Sequence, residues 1–232
     1  MRRTMKRNVV LVAVFVTSMF IAGGCKSEDN PVGEGTIEGN LFPLAQGRIW
    51  VSDAYELDTL GQRIQNSKHR ETLYASGTTT IGGKTAFIMV DSVYSSTGPL
   101  NFVDTTYMAT ENGDFFLYFG SWITIFKQSE GLNKEYVGGN ITITDFGIPL
   151  NATVRCKINP KESVTVPKGT VQAYKVEVKA SLSFGGLSID ELQYIWFADE
   201  LGPVKIQFPP TADPLTGQKS RGSESLLVST NF

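Results

Sequence analysis

Apolar and polar residues alternate along most of the chain after residue 40, the pattern typical of β-strands that bury one face. The clearest run is Thr170–Phe184, where Tyr174, Val176 and Val178 share one face with the apolar residues that follow. Gly82-Gly83 and the segment 111–114 separate neighbouring runs with residues that favour tight hairpin turns. Since no window of eleven or more residues carries a convincing helical stripe, we predict an all-β antiparallel domain with little helix.

The length of Thr170–Phe184 favours one architecture within that class. Its 15 residues would extend for about 50 Å at roughly 3.3 Å per residue, far beyond the usual strand of about five or six residues. A strand of that length must coil with the twist of its sheet. We therefore predict a single curved antiparallel sheet that forms a half-barrel or an open barrel.

The first 25 residues have the pattern of a bacterial lipoprotein signal. Basic residues at Arg2, Arg3, Lys6 and Arg7 precede the apolar run Val9–Ala22, which at about 14 residues is shorter than the roughly 20 that span a bilayer. Small residues then lead to Cys25. We predict that residues 1–24 are a signal peptide and that Cys25 is lipidated.

The polar segment that follows predicts a flexible tether. Residues 25–40 are rich in Gly, Ser, Asn and acidic residues, so they bury too little apolar surface to fold alone. The all-β domain is then expected over residues 41–232. Lys26, which follows the cysteine, favours sorting to the outer membrane, with the domain facing the periplasm or the cell surface.

Charge argues against nucleic acid as a partner. The chain has 21 basic and 23 acidic residues, and four of the basic ones lie in the signal. The mature chain therefore carries a net charge of about −6, without the basic surface that phosphate neutralisation needs.

Catalytic and metal-binding patterns are absent from the sequence. His69 is the sole histidine, so multi-histidine zinc sites are excluded. It lies in a polar run and is expected to be a solvated surface residue. The acidic pair Asp190-Glu191 would face opposite sides of a strand, and Asp199-Glu200 lies in a predicted hairpin turn. We expect no catalytic residue, no metal site and no cofactor, and thus no enzyme. Cys156 shares an apolar strand face and is expected to be buried.

One stretch departs from clean alternation. Residues 115–126 are apolar on both faces, whereas an antiparallel strand usually presents one face to water. Three explanations fit: a strand covered on both sides, a strand lining a cavity for an apolar ligand, or a surface patch for a partner protein. Gly120 is expected to mark a bulge or a close backbone approach. The candidate cavity-lining residues are Phe115, Phe116, Leu117, Tyr118, Phe119 and Trp122.

Three short motifs resemble those of uncharacterised bacterial envelope lipoproteins. Phe42-Pro43-Leu44 with Gly47 and Trp50 is similar to their opening motif, and Val164–Thr170 is similar to a recurrent strand pair. Trp196-Phe197-Ala198 resembles the start of their closing hairpin. The resemblance implies a curved antiparallel sheet, distantly similar to the half-barrel of periplasmic lipoprotein carriers and acceptors. It transfers no catalytic residue.

Two functional hypotheses follow. In the first, a membrane-anchored lipoprotein binds a hydrophobic or lipid-like ligand against the 115–126 stretch. In the second, the domain is a structural or surface-interaction module for a protein or glycan partner, whose identity the sequence leaves unknown. The membrane itself is a partner in both hypotheses, through lipidated Cys25.

The lipidation assignment is directly testable. We expect the mature chain to begin at an acylated Cys25, and Cys25→Ser to abolish incorporation of a fatty-acid label. Cys156→Ala is the matched control and should retain the label, which mass spectrometry of the N-terminal peptide would locate. An acylated Cys25→Ser protein would contradict the assignment.

Overall fold

Twelve strands form one antiparallel sheet that curls into an almost closed barrel with an unsealed seam. The computed structural model describes residues 37–94, 100–143, 150–184, 187–212 and 217–232. The signal peptide, Cys25 and the first part of the predicted tether lie outside these residues. Within the described ranges, no helix has the length and apolar character needed to cross a membrane.

Each strand pairs with its neighbours in the chain except at the sixth and seventh strands, which form the two edges of the sheet, and the first strand also pairs with the last. Their bounds are β1 Ile49–Leu57, β2 His69–Ile81, β3 Lys84–Tyr94, β4 Leu100–Glu111, β5 Asp114–Tyr118, β6 Trp122–Phe126, β7 Glu135–Ile143, β8 Leu150–Val166, β9 Gly169–Phe184, β10 Leu187–Ala198, β11 Gly202–Phe208 and β12 Gly222–Thr230. The order across the sheet is β6-β5-β4-β3-β2-β1-β12-β11-β10-β9-β8-β7. The predicted all-β class and the curved open barrel are confirmed.

Most predicted hairpins are present, with two differences. Gly82-Gly83 joins β2 to β3, and the long predicted strand is β9. The run from Arg63 to Ala75 predicts a polar strand, but β2 begins only at His69, because a 3-10 turn at Gln65–Ser67 precedes it. The segment 115–126 is two strands joined at Gly120, whose φ of 81° suits a turn, so the expected bulge was wrong.

The seam of the barrel lies between β6 and β7, where side chains replace a backbone ladder. The Tyr136 hydroxyl on β7 donates to the Ile125 carbonyl at 2.8 Å and accepts from the Lys127 amide at 3.0 Å. Ile123, Ile125 and Phe126 of β6 are at most 1% exposed and pack in the core with residues of β8 and β9. Apolar packing therefore closes the sheet where hydrogen bonds do not.

Two glycines let the seam strands approach each other. A Cβ at Gly138 would lie 2.5 Å from the Thr124 carbonyl oxygen, and a Cβ at Gly139 would lie 3.1 Å from that of Trp122. Gly138 is also the extra residue where the register of β7 against β8 shifts. Only glycine leaves room for β6 at this crossing.

The segment before β1 closes one end of the barrel. Phe42 stacks on Phe115 with ring centroids 3.7 Å apart and an interplanar angle of 5°, and its ring lies 4.3 Å from that of Phe197. Ile37 is also buried in this core, so the last residues assigned to the tether belong to the folded domain. The apolar Ile37 side chain supplies the burial that the rest of the tether lacks.

Cys156 is buried, as its alternating pattern predicted. It is 1% exposed on β8, and its thiol donates to the Thr124 carbonyl at 3.6 Å. Burial raises the pKa of the thiol to about 12, which keeps it protonated and unreactive near neutral pH.

The close approach at the seam generates a stability prediction. Gly138→Ala should lower the free energy of unfolding by about 1–3 kcal/mol, because the new methyl group overlaps the Thr124 backbone. Gly77→Ala is the matched control, since a Cβ there would meet nothing within 4 Å. Chemical denaturation of both variants measures the difference. Equal stability of the two variants would contradict the close approach of β6 to β7.

Candidate ligand cavity

The barrel encloses an unfilled space between its aromatic end and its opposite end. Two adjoining cavities of about 250 and 290 Å³ share lining residues on β2, β3, β4, β5, β10, β11 and β12. We call the two together the interior cavity. The residues common to both are Glu71, Asp91, Thr106, Met108, Leu117, Gln193, Ile206 and Ser225.

Aromatic rings close the end of the interior cavity that lies nearest to the N-terminal segment. Phe42, Phe115 and Phe197 line it there, together with Trp50. The Trp50 indole donates its Nε1–H to the Leu201 carbonyl at 2.7 Å, which satisfies the one polar group of that side chain. This end therefore presents only apolar surface from these four rings.

Aliphatic and thioether side chains line the middle of the interior cavity. Alternate residues of every strand point into the barrel. These side chains come from strands that face each other across it. The members of this belt are Leu73, Met89, Met108, Leu117, Ile195 and Ile206. Methionine adapts its shape to what it contacts, so the belt can fit chains of different form.

Three carboxylates also line the interior cavity, and we call them the acidic rim: Glu71 and Asp91 line both of its parts, and Asp104 lines the second part. Asp91 on β3 and Asp104 on β4 are direct cross-strand partners. His69 Nε2 lies 3.3 Å from Glu71 Oε1, and its Nδ1 lies 3.2 Å from the Ser67 carbonyl. His69 is half-buried and lines the cavity, so the sequence-based expectation of a solvated surface histidine was wrong.

The acidic rim and the tether lie at opposite ends of the barrel. The Ile37 carbonyl accepts from Gln128 Nε2 at 2.6 Å, and the Asn40 amide donates to Asp199 Oδ1 at 2.7 Å. Both partners lie in connections at the aromatic end, β6–β7 and β10–β11. The strands are antiparallel neighbours, so β3 ends and β4 begins at the end of the barrel away from the aromatic rings. Asp91 lies in the second half of β3, and Asp104 lies in the first half of β4.

The predicted cavity residues separate by face. Phe115, Leu117 and Phe119 point inward and line the interior cavity. Phe116 and Tyr118 alternate with them and face outward, and Trp122, the cross-strand partner of Tyr118, joins this outer face. Contact with a ligand stays a prediction for the inner three residues.

The outward residues form an aromatic cluster with Tyr107. The Tyr118 and Trp122 rings meet edge to face at 5.1 Å, and the Lys84 ammonium lies 4.2 Å from the centroid of Phe116. The Trp122 Nε1–H lies 3.1 Å from the carbonyl oxygens of both Ile81 and Gly82. The Trp122 N–H is thus paired, and the cluster covers the end of the β2–β3 hairpin.

A buried carboxyl lies on the inner face of β10. Glu191 shares that face with Gln193 and Ile195, and its Oε2 has no hydrogen-bond partner among the residues that the structure describes. Burial raises the pKa of Glu191 to about 7. Asp190 faces outward to Lys179 at 2.7 Å, so the two neighbouring acids do face opposite sides, as alternation predicted.

Sequence reasoning missed the acidic rim and Gln193. One feature of the sequence of β3 could have indicated a polar group inside the barrel. Asp91 interrupts there the inward apolar series of Phe87, Met89 and Val93. From the sequence alone, a polar residue at that position is expected to face solvent, because the curvature of the sheet is not known. Among the described residues, no three His, Cys, Asp or Glu side chains are arranged to hold a metal ion.

Two solved structures share this fold. One, from Bacteroides fragilis, is described as an exported protein with a YmcC-like fold. The match covers 84% of this chain and 100% of that chain, with 12% identity and a TM-score of 0.56. The other, from Parabacteroides distasonis, is described as a lipoprotein; the shares are 83% and 99%, with 16% identity and a TM-score of 0.54. No family model and no curated protein matches the sequence. At these identities the likeness shows the fold alone.

The raised pKa of Glu191 predicts a pH dependence of stability. Since the native pKa of about 7 lies above the ordinary glutamate value of 4.5, the native state binds more protons than the unfolded state between those values, and stability falls as pH rises through 7. The Glu191→Gln variant has no carboxyl at this position and lacks this loss. The difference in free energy of unfolding between the variant and the wild type should therefore shift by about 2 kcal/mol in favour of the variant from pH 5 to pH 8. Denaturant unfolding at both pH values measures it, with Glu135→Gln on the exposed outer face as control. Parallel pH profiles for wild type and Glu191→Gln would refute the burial of this carboxyl.

Proposed function

We propose that this chain is a non-enzymatic envelope lipoprotein, anchored through Cys25 to the outer membrane, that binds an elongated hydrophobic or lipid-like ligand inside its barrel. The interior cavity carries the proposal. The lipoprotein part is supported by the signal sequence and by the fold, which is shared with one protein described as exported and one described as a lipoprotein.

The unfilled volume argues for a ligand. Ligand sites in proteins are concave and mostly apolar, with a few polar groups in the lining, and the interior cavity has this character. The cavity volumes of about 250 and 290 Å³ compare with roughly 30 Å³ for one water molecule in the liquid. Its aromatic end and aliphatic belt offer water few hydrogen bonds, so an apolar occupant is favoured there.

The position of the tether is compatible with this function. The chain leaves the barrel at the end that the aromatic rings close, so an anchor on Cys25 would hold that end toward the membrane. The acidic rim then faces away from the bilayer. A ligand bound in the barrel would be separated from the anchoring membrane by Phe42 and its neighbours.

The alternative is an interaction module for a protein or glycan partner. The outer cluster of Tyr107, Phe116, Tyr118 and Trp122 is the observation that favours it, because half-buried aromatic side chains are common at interfaces. The cluster lies on the outer face of β4, β5 and β6, and the inner faces of β4 and β5 line the cavity. The two functions therefore predict different effects from inward and outward substitutions.

The binding hypothesis predicts a difference between adjacent residues of β2. Leu73→Trp should fill part of the cavity and weaken binding of the apolar fluorophore diphenylhexatriene at least tenfold. Tyr74→Trp, on the outer face, should leave binding unchanged, because Tyr74 is 38% exposed and lies outside the cavity lining. Fluorescence titration of the mature chain with Ser at position 25 measures both, and near-ultraviolet circular dichroism checks the fold.

Two outcomes would count against the proposal. One is a folded wild-type protein that binds the fluorophore without saturation. The other is a folded Leu73→Trp protein with wild-type affinity, which would move the binding site out of the barrel and favour the interaction module.

A further inference from the structure

A third cavity adjoins the interior cavity at the end of the barrel away from the aromatic rings. Its volume is about 340 Å³, and it shares the lining residues Glu56, Phe208 and Ser223 with the second part of the interior cavity. The strands β1 and β11 end here and β12 begins here, so Thr211 and Ser220 of the β11–β12 connection also line it. We call this space the end cavity.

The end cavity lengthens the space that a ligand can occupy. Glu56 lines the end cavity and Trp50 lines the interior cavity at the aromatic rings, and both lie on β1, six positions apart. At roughly 3.3 Å per residue, six positions span about 20 Å. The two places have no described lining residue in common. The head and the tail of one long ligand would therefore contact different linings.

A buried carboxyl oxygen in the end cavity lacks a partner. Glu191 lines this cavity from β10. Among the residues that the structure describes, its Oε2 is the one buried side-chain nitrogen or oxygen without a hydrogen bond. A buried polar atom without a partner is unfavourable and uncommon in folded proteins. A polar group of a ligand would supply the missing hydrogen bond.

The polar side chains near Glu191 are paired with one another. Arg221 Nη1 lies 2.7 Å from Glu56 Oε2, and the hydroxyl oxygens of Thr211 and Ser220 are 2.9 Å apart. Burial is the cause that raises the pKa of Glu191 to about 7, and no charged group among the described residues shifts it. Glu191 thus differs from these neighbours in having no partner of its own.

The surroundings of Glu191 favour a neutral head group. Leu192, Phe208 and Pro209 contribute apolar surface to the end cavity, and a carboxyl in apolar surroundings favours its neutral form. A neutral carboxyl has one O–H donor and further acceptor capacity, and a hydroxyl group offers the complementary acceptor and donor. An ammonium head would require the buried carboxyl to ionise, and a carboxylate head would bring a second unpaired acid out of water.

We propose that the ligand is a long-chain amphiphile with a neutral hydroxyl head, hydrogen-bonded to the Glu191 carboxyl in the end cavity, and an apolar chain that lies along the belt toward Trp50. This rests on the proposed function and specifies it. The head is recognised by its hydrogen bonds to Glu191, and the chain is recognised by apolar burial.

The test compares heads on one chain. Dodecanol, its methyl ether, dodecylamine and laurate all carry a twelve-carbon chain, and at pH 6 their heads are neutral, neutral, positive and negative. Each competes for diphenylhexatriene bound to the mature Cys25→Ser protein. Dodecanol should displace the fluorophore at a concentration at least fivefold lower than any of the others does. The ether is more apolar than the alcohol but cannot donate, so apolar burial alone would favour the ether.

Three variants assign the preference to Glu191. Glu191→Met removes both oxygens and keeps a similar volume, so it should reduce the difference between dodecanol and its ether to less than twofold and leave fluorophore binding intact. Glu191→Gln keeps a neutral donor and acceptor and should retain the preference. Asp190→Asn, on the outer face of the same strand, is the matched control and should change nothing. Near-ultraviolet circular dichroism checks the fold of each variant.

The outcomes separate this inference from the proposed function. Fluorophore binding without a preference for dodecanol over its ether would overturn the inference and leave the binding function standing. A preference that Glu191→Met retains would also overturn it, since the head would then be bound elsewhere. So would a preference for dodecylamine that Glu191→Gln abolishes, because Glu191 would then pair with a cation. Failure of the folded wild type to bind the fluorophore would remove the proposed function itself.

Discussion

Closure of the sheet by apolar side chains, without a backbone ladder at the seam, is the constraint on which the rest of the structure depends. Twelve strands need either a complete hydrogen-bonded circle or another means to cover their two edges. Here β6 lies against β7, β8 and β9, and the Tyr136 hydroxyl serves the backbone groups of Ile125 and Lys127. Gly138 makes that approach possible.

The same closure creates the interior cavity. Phe42, from the segment before β1, packs between Phe115 of β5 and Phe197 of β10, which belong to distant parts of the sheet order. This contact fills one end and joins the two halves of the barrel. Beyond it lies the interior cavity, which side chains of β2 to β5 and of β10 to β12 line. The packing that stabilises the fold and the volume proposed to hold a ligand are therefore consequences of one arrangement.

The limits of sequence reasoning follow from the same geometry. Alternation and turn residues predict local strands and hairpins, and they gave β3, β9 and the Asp199–Leu201 turn. They cannot tell a bulge from a hairpin at Gly120, since both use glycine with positive φ. Nor can they place Asp91 inside the barrel, because inward and outward polar residues look alike until the curvature is known. The inward direction of Phe115, Leu117 and Phe119 depends on partners that are far away in the chain.

The most direct test of the central claim, that the barrel holds an apolar chain, is a crystal structure with 12-bromododecanol. Anomalous scattering locates the bromine independently of how the rest of the ligand is built. We expect one bromine site inside the barrel, beside the lining residues Trp50, Leu73 and Met89. A bromine on the outer cluster at Trp122, or a barrel interior without bromine at saturating ligand, would contradict the account.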